Sequence, residues 1–203
     1  MDLKKTRYGL LGGSFDPVHL AHIELARAAL QHLELDGVTL IPAGRPWQRG
    51  SLGASPTQRL EMLQLAVQDI PGLMVSALEI EREGPTYTID TLRQLPSGKT
   101  YFWILGADQL ENFCTWHEWQ EIARRVALAV AARPGTRLET PSALKALLEA
   151  QGKTLHVIPM PPMDLSATEI RRRLAAGENV DGMLPPAVAQ YIQRYGLYRH
   201  PAA

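Results

Sequence analysis

Apolar residues in this chain fall into short runs separated by stretches in which they recur every three to four positions. The runs Tyr8–Leu11, Val38–Ile41, Leu73–Ser76, Thr100–Leu105, Val126–Ala131 and Leu155–Ile158 are strand-sized and predict strands buried on both faces. Between them, helical spacing predicts helices over His19–His32, Thr57–Gln68, Thr88–Gln94, His117–Arg125, Ser142–Ala150, Ser166–Ala175 and Pro186–Arg194. Thr57–Gln68 shows the logic, with Leu60, Leu63 and Val67 at i, i+3 and i+7 on one face. Strands alternating with helices define an α/β fold with a mainly parallel sheet. There is no internal repeat and no low-complexity tract.

At 203 residues the chain is expected to form a single domain, with the helices from about residue 166 packed on the sheet. Lys plus Arg is 21 and Asp plus Glu is 21, a zero net charge that argues against a nucleic-acid or anionic-membrane binder. That balance leaves room for a local basic pocket. One cysteine, Cys114, excludes an intrachain disulfide and a multi-cysteine zinc site, which fits a reducing cytoplasmic setting. The start, MDLKKTRYGLLGG, lacks a signal peptide's apolar stretch, and no run reaches membrane-spanning length.

Two stretches read as loops. Residues 42–56, PAGRPWQRGSLGASP, are long for a passive connection, and long loops in compact domains are usually functional. PMPPMD, residues 159–164, is a stiff approach to the next helix.

The first strand ends in Gly12-Gly13-Ser14-Phe15-Asp16-Pro17-Val18-His19-Leu20-Ala21-His22. Glycines at the carboxyl end of a parallel strand, followed by a helix start, make a phosphate site. The string is neither a Walker loop nor a GxGxxG dinucleotide loop. His19 and His22, three apart, share a helix face. A metal site would need a third ligand that the neighbourhood lacks. Ordinary helix histidines would leave the glycines unexplained, whereas phosphate donors account for both.

Near the other end, Ser166 and Glu169 have capping-box spacing, S-x-x-E. A helix start with hydroxyls at Ser166 and Thr168 and a cation at Arg171 also suits an anion. Arg172 and Arg173 are expected to be solvated.

GGSFDPVHLAH resembles the GG(T/S)FDPxHxGH signature of the nucleotidyltransferase α/β-phosphodiesterase superfamily, with Ala21 where glycine is usual. Leu165–Arg171 resembles the S-(S/T)-T-x-(I/V)-R motif of the same superfamily. The resemblance implies a Rossmann-like, doubly wound sheet with helices on both faces and the ligand across the carboxyl ends of its strands. It further implies that ATP is held by Gly12, Gly13, Ser14, Phe15, His19, His22, Ser166, Thr168 and Arg171, with His19, His22 and Arg171 catalytic.

The middle of the chain is similar to bacterial nicotinate mononucleotide adenylyltransferases. The matching stretches are Trp103–Ile122, with Gly106-Ala107-Asp108 and Thr115-Trp116-His117-Glu118-Trp119, then Pro85–Leu92 and Pro185–Tyr198. The resemblance so covers Tyr8 to Tyr198. In that family it implies Trp116 stacked on the nicotinate ring, a contact that a pyridinium strengthens by roughly 0.5–2 kcal/mol. Backbone amides near Thr88 and His117 take the ring carboxylate, and Gly13 and Ser14 also border the nicotinate nucleotide. Gly106 and Asp108 lie at ATP, Asp108 near a ribose hydroxyl or the metal. Arg49, in the stretch matching the family's P-x-x-x-P-(P/W)-(H/Q)-(K/R) loop, contacts phosphate. Trp119 reads as helix packing.

The implied reaction joins ATP and nicotinate mononucleotide with Mg²⁺ carried on ATP phosphates. It needs no general base, because the attacking phosphate is already ionised; Ser14 and Cys114 accordingly have no activating partner in the sequence. Three alternatives remain. They are an adenylyltransferase for nicotinamide mononucleotide, one for another phosphorylated acceptor, or a nucleotide sensor without turnover.

Overall fold

A computed structural model describes residues 6–46, 52–132, 138–161 and 163–199. The elements run β1 (Arg7–Gly13), α1 (Leu20–His32), β2 (Gly37–Pro42), α2 (Pro56–Val67), β3 (Leu73–Val75) and α3 (Thr88–Arg93). They continue with β4 (Thr100–Leu105), α4 (Ala107–Glu111), a 3₁₀ turn (Phe113–Thr115), α5 (Trp119–Arg125) and β5 (Ala127–Ala132). The chain then adds α6 (Ser142–Ala150), β6 (His156–Pro159), α7 (Ala167–Ala176) and α8 (Pro186–Tyr195).

The six strands form one sheet in the order β3-β2-β1-β4-β5-β6, and every pair is parallel. This is the doubly wound, Rossmann-like order, in which the winding reverses between β1 and β4. Period two explains why both faces are covered. Leu11, Phe102, Ile104 and Ala129 point to one side, where α1, α2, α7 and α8 contribute Ala26, Leu63, Ile170 and Val188. Leu10, Trp103, Leu105, Leu128 and Val130 point to the other, onto Leu92, Leu110, Ile122 and Leu144 of α3, α4, α5 and α6. Burying both faces removes apolar surface from water at about 25 cal/mol per Å². The helix α8 packs against α2, which lies on β2 and β3.

All six strand runs and all seven helix stretches read from the sequence are present, with every end within two residues of its expected place. The sequence pattern missed α4 and the 3₁₀ turn, because five-residue and three-residue pieces hold too few positions for a helical period to show. The stretch His117–Arg125 starts later than expected, at Trp119, because Glu118 takes a left-handed conformation, φ 50°. The expected capping box at Ser166 is half made. Ser166 Oγ accepts from the Glu169 amide at 3.2 Å, while the Glu169 carboxylate turns outward to Arg172 and Arg173. A complete box stands at α2 instead, where Ser55 and Gln58 bond reciprocally.

Candidate active site

Strands β1 and β4 diverge at their carboxyl ends, and a cleft of about 860 Å³ opens there. Gly12, Gly13, Ser14, Phe15, His19 and His22 line one side of it, Ser166 and Thr168 another, and Thr88, Gly106, Asp108, Trp116 and His117 a third. Arg171 does not line it. Arg49 lies outside the described residues, with Trp47 and Gln48.

The histidine pair is built by the helix start. His19 is the N-cap of α1, and its backbone amide donates to His22 Nδ1 at 3.2 Å. That bond leaves Nδ1 of His22 without a proton, so the ring proton sits on Nε2. The two rings stack with centroids 3.7 Å apart, and Phe15 meets His22 edge-on at 4.9 Å. Burial pulls the His19 imidazole down to about 4, so it is neutral near pH 7. Its Nδ1 is buried with no hydrogen-bond partner, a desolvation cost that this helix start carries. His19 thus meets the cleft as a neutral imidazole rather than as a fixed positive charge.

Gly12 answers to packing as much as to a ligand. A Cβ there would lie 2.7 Å from the Trp103 ring, so only glycine lets that tryptophan sit across β1. Trp103 in turn meets Trp116 edge-on at 6.4 Å, and Phe113 packs on Trp116 at 5.3 Å. Trp116 thus has an aromatic backing, and it ends the 3₁₀ turn at the cleft edge. Trp119 packs on Phe113 in the core of that face, as its helical position implies. The His117 ring sits 4.5 Å from Tyr87, joining the start of α3 to the end of the 3₁₀ turn.

Behind the first loop lies a buried polar hub. Asp16 accepts from the amides of Gly53 and Ala54 at 2.8 and 3.0 Å and from the Tyr198 hydroxyl at 2.7 Å. Its backbone carbonyl accepts from Arg171 at 2.7 Å, and Arg171 also lies 3.4 Å from Thr168 Oγ1. Arg171 thereby connects the two motifs from behind the cleft. Arg59, fully buried on α2, donates to the carbonyls of Ser14 at 2.7 Å and Gly44 at 3.2 Å, fixing the ends of β1 and β2 together. Sequence reading missed Asp16, Arg59 and Tyr198 as working residues. Charge within an otherwise apolar helix face was the one available signal for Arg59. Arg172 is exposed and paired with Glu169 and Glu178, and Arg173 is half-buried and paired with Glu169.

Among the described residues, no three carboxylate, imidazole or thiol groups gather as a metal cage. Of the two carboxylates that line the cleft, Glu79 is buried on Thr91 and Asp108 is exposed. One carboxylate suits Mg²⁺, which keeps waters and arrives on substrate phosphates.

The cytidylyltransferase-like family model matches residues 10–173. A probable nicotinate-nucleotide adenylyltransferase of Bordetella pertussis is 58% identical over 96% of this chain and 98% of its own. One from Methylibium petroleiphilum is 46% identical, covering 96% and 93%. In solved structures, the fold resembles Plasmodium falciparum nicotinic acid mononucleotide adenylyltransferase complexed with NaAD, with a TM-score of 0.76 at 18% identity, covering 96% of this chain and 98% of that one. The chain belongs to the cytidylyltransferase-like family and, within it, to the nicotinate-nucleotide adenylyltransferases. Among the described residues no helix is long and apolar enough to cross a membrane.

Proposed function

We propose that this chain, acting as one domain in the cytoplasm, transfers the adenylyl group of ATP to nicotinate mononucleotide, giving nicotinate adenine dinucleotide and pyrophosphate. The observation that carries the reading is the meeting, in one cleft at the sheet's reversal point, of the stacked His19–His22 pair, the α7 start and a backed Trp116. The family membership supports the same reaction.

In this reading an oxygen of the acceptor phosphate attacks the α-phosphorus of ATP, and the bond to the pyrophosphate oxygen breaks. No proton has to leave the nucleophile. The protein's work is alignment and charge stabilisation. His19, as a neutral imidazole, and His22 donate to the phosphates from the start of α1. Ser166 and Thr168 face them across the cleft, and Arg171 brings positive charge to that end. Gly12, Gly13, Ser14 and Phe15 shape the loop under the phosphates, Gly106 and Asp108 border the ATP ribose, and Arg49 reaches the triphosphate from its loop. Trp116 stacks on the nicotinate ring, with the amides near Thr88 and His117 on its carboxylate. Asp108 would help to hold Mg²⁺ arriving with ATP, and the ion would supply charge neutralisation.

The test is pyrophosphate release from ATP and Mg²⁺ with nicotinate mononucleotide, run beside nicotinamide mononucleotide. Strong preference for the acid is expected, since the neutral amide forgoes a charge-assisted bond. Equal use of both would remove the Trp116-side pocket assignment, and release with neither would remove the reaction.

A further inference from the structure

Glu79 is a buried carboxyl group at the cleft wall that the reaction above leaves without a task. It sits where three segments meet. Thr91 of α3 donates its hydroxyl to Glu79 Oε1 at 2.6 Å. The 43–46 segment presses on its backbone, since a Cβ on Gly44 would lie 2.2 Å from the Glu79 carbonyl oxygen. That segment is also fastened to Thr86, whose amide donates to the Arg45 carbonyl at 3.1 Å and whose Oγ1 accepts from the Arg45 amide at 3.0 Å. Thr91 lies one turn beyond Thr88 on the same face of α3, and Thr88 opens to the cleft.

We infer that Glu79 is a positioning residue for the acceptor nucleotide, holding the start of α3 and the 43–46 segment in register through Thr91 and Gly44. The inference rests on the adenylyltransferase reading above. Its charge state follows from its surroundings. Burial pushes the Glu79 carboxyl up to about 7, against the opposing pull of the Thr91 bond and Arg82. Arg82, on its own segment, is the charged group acting on it. The facing elements present the Thr91 hydroxyl from α3 and the Gly44 backbone from the 43–46 segment, and α2 reaches that same Gly44 through Arg59. As a neutral acid Glu79 keeps its bond to Thr91 without setting a negative charge beside an acceptor that carries a phosphate and a carboxylate. Above its midpoint the ionised form repels that acceptor.

The experiment measures binding of nicotinate mononucleotide and, separately, of ATP by Trp fluorescence, with steady-state KM values alongside, between pH 6 and 8. Glu79→Gln keeps the acceptor oxygen for Thr91 and cannot ionise. Its affinity for nicotinate mononucleotide should match wild type at pH 6 and exceed it by about tenfold at pH 8, the change a one-proton linkage gives around a midpoint of about 7. Glu79→Ala should weaken nicotinate mononucleotide by about tenfold, the scale of one buried hydrogen bond, and leave ATP within twofold. A wild-type to Gln ratio that stays flat with pH overturns the inference, as does equal weakening of both ligands. If Glu79→Ala does not fold, the Gln comparison decides alone. Wild type that binds nicotinate mononucleotide and turns it over, with the Glu79 variants indistinguishable from it, sinks only this inference. Wild type that neither binds nor uses it sinks the proposed function and this inference together.

Discussion

The Tyr198 hydroxyl donates to the Asp16 carboxylate at 2.7 Å, joining residues 182 positions apart in sequence. Asp16 belongs to the loop that carries His19, and Tyr198 follows the last helix. Both are buried, so the bond forms away from water and its loss leaves a carboxylate oxygen short of a donor. The loop after β1 is therefore held by the segment following α8 as well as by β1. Tyr198→Phe is expected to cost roughly 1–3 kcal/mol, a melting-temperature drop of several degrees for a protein of this size. Calorimetric melting of the two proteins side by side checks it. An unchanged melting temperature would show that the hub does not hold the loop.

His19 makes a prediction with a defined sign. Its folded-state pKa of about 4 lies below the ordinary 6.5, so folding favours the neutral ring. The associated stability is complete above about pH 6.5 and is lost as pH falls from there through 4. Wild type should lose a few kcal/mol across that window beyond what His19→Gln loses. Denaturant unfolding at several pH values measures the difference, and parallel curves would contradict the burial argument. In turnover, His19→Ala is expected to lower the rate about a hundredfold or more, the scale of one preorganised donor.

Gly44 is required by its neighbour. Any side chain there meets the Glu79 carbonyl at 2.2 Å, closer than atoms tolerate, so the 43–46 and 79–86 segments must part. Gly44→Ala is expected to destabilise by about 1–3 kcal/mol and to weaken the acceptor more than ATP. Comparing the two KM values with the melting temperature separates a local effect from general loosening.

Trp116 is supported from behind by Trp103 and Phe113 and so presents a fixed ring. Trp116→Ala should raise the KM for nicotinate mononucleotide by about 2- to 30-fold, the range of a cation–π contact of 0.5–2 kcal/mol, with the ATP value nearly unchanged. An equal rise in both would place the ring elsewhere.

Much of this protein was legible in its residues, and particular positions show why. The runs around Leu10–Leu11 and Phe102–Leu105 announced strands buried on both sides, because backbone period and burial act locally along the chain. The glycine loop with His19 and His22 and the Ser166–Arg171 string suggested an anion site through residue types at helix starts, while the ring reading at Trp116 came only with the family resemblance. The short helix at Ala107–Glu111 gave no such sign. Nor did the partners of Asp16, the buried guanidinium of Arg59 spanning the Ser14 and Gly44 carbonyls, or the junction of Glu79 with Thr91 and Gly44. Those contacts join segments that only the sheet order brings side by side. Sequence determines which groups are available and which face each takes on its own element, while burial and long-range hydrogen bonding depend on the complete packing, so tertiary structure alone decided how the cleft is held together and that burial lowers the His19 pKa and raises that of Glu79.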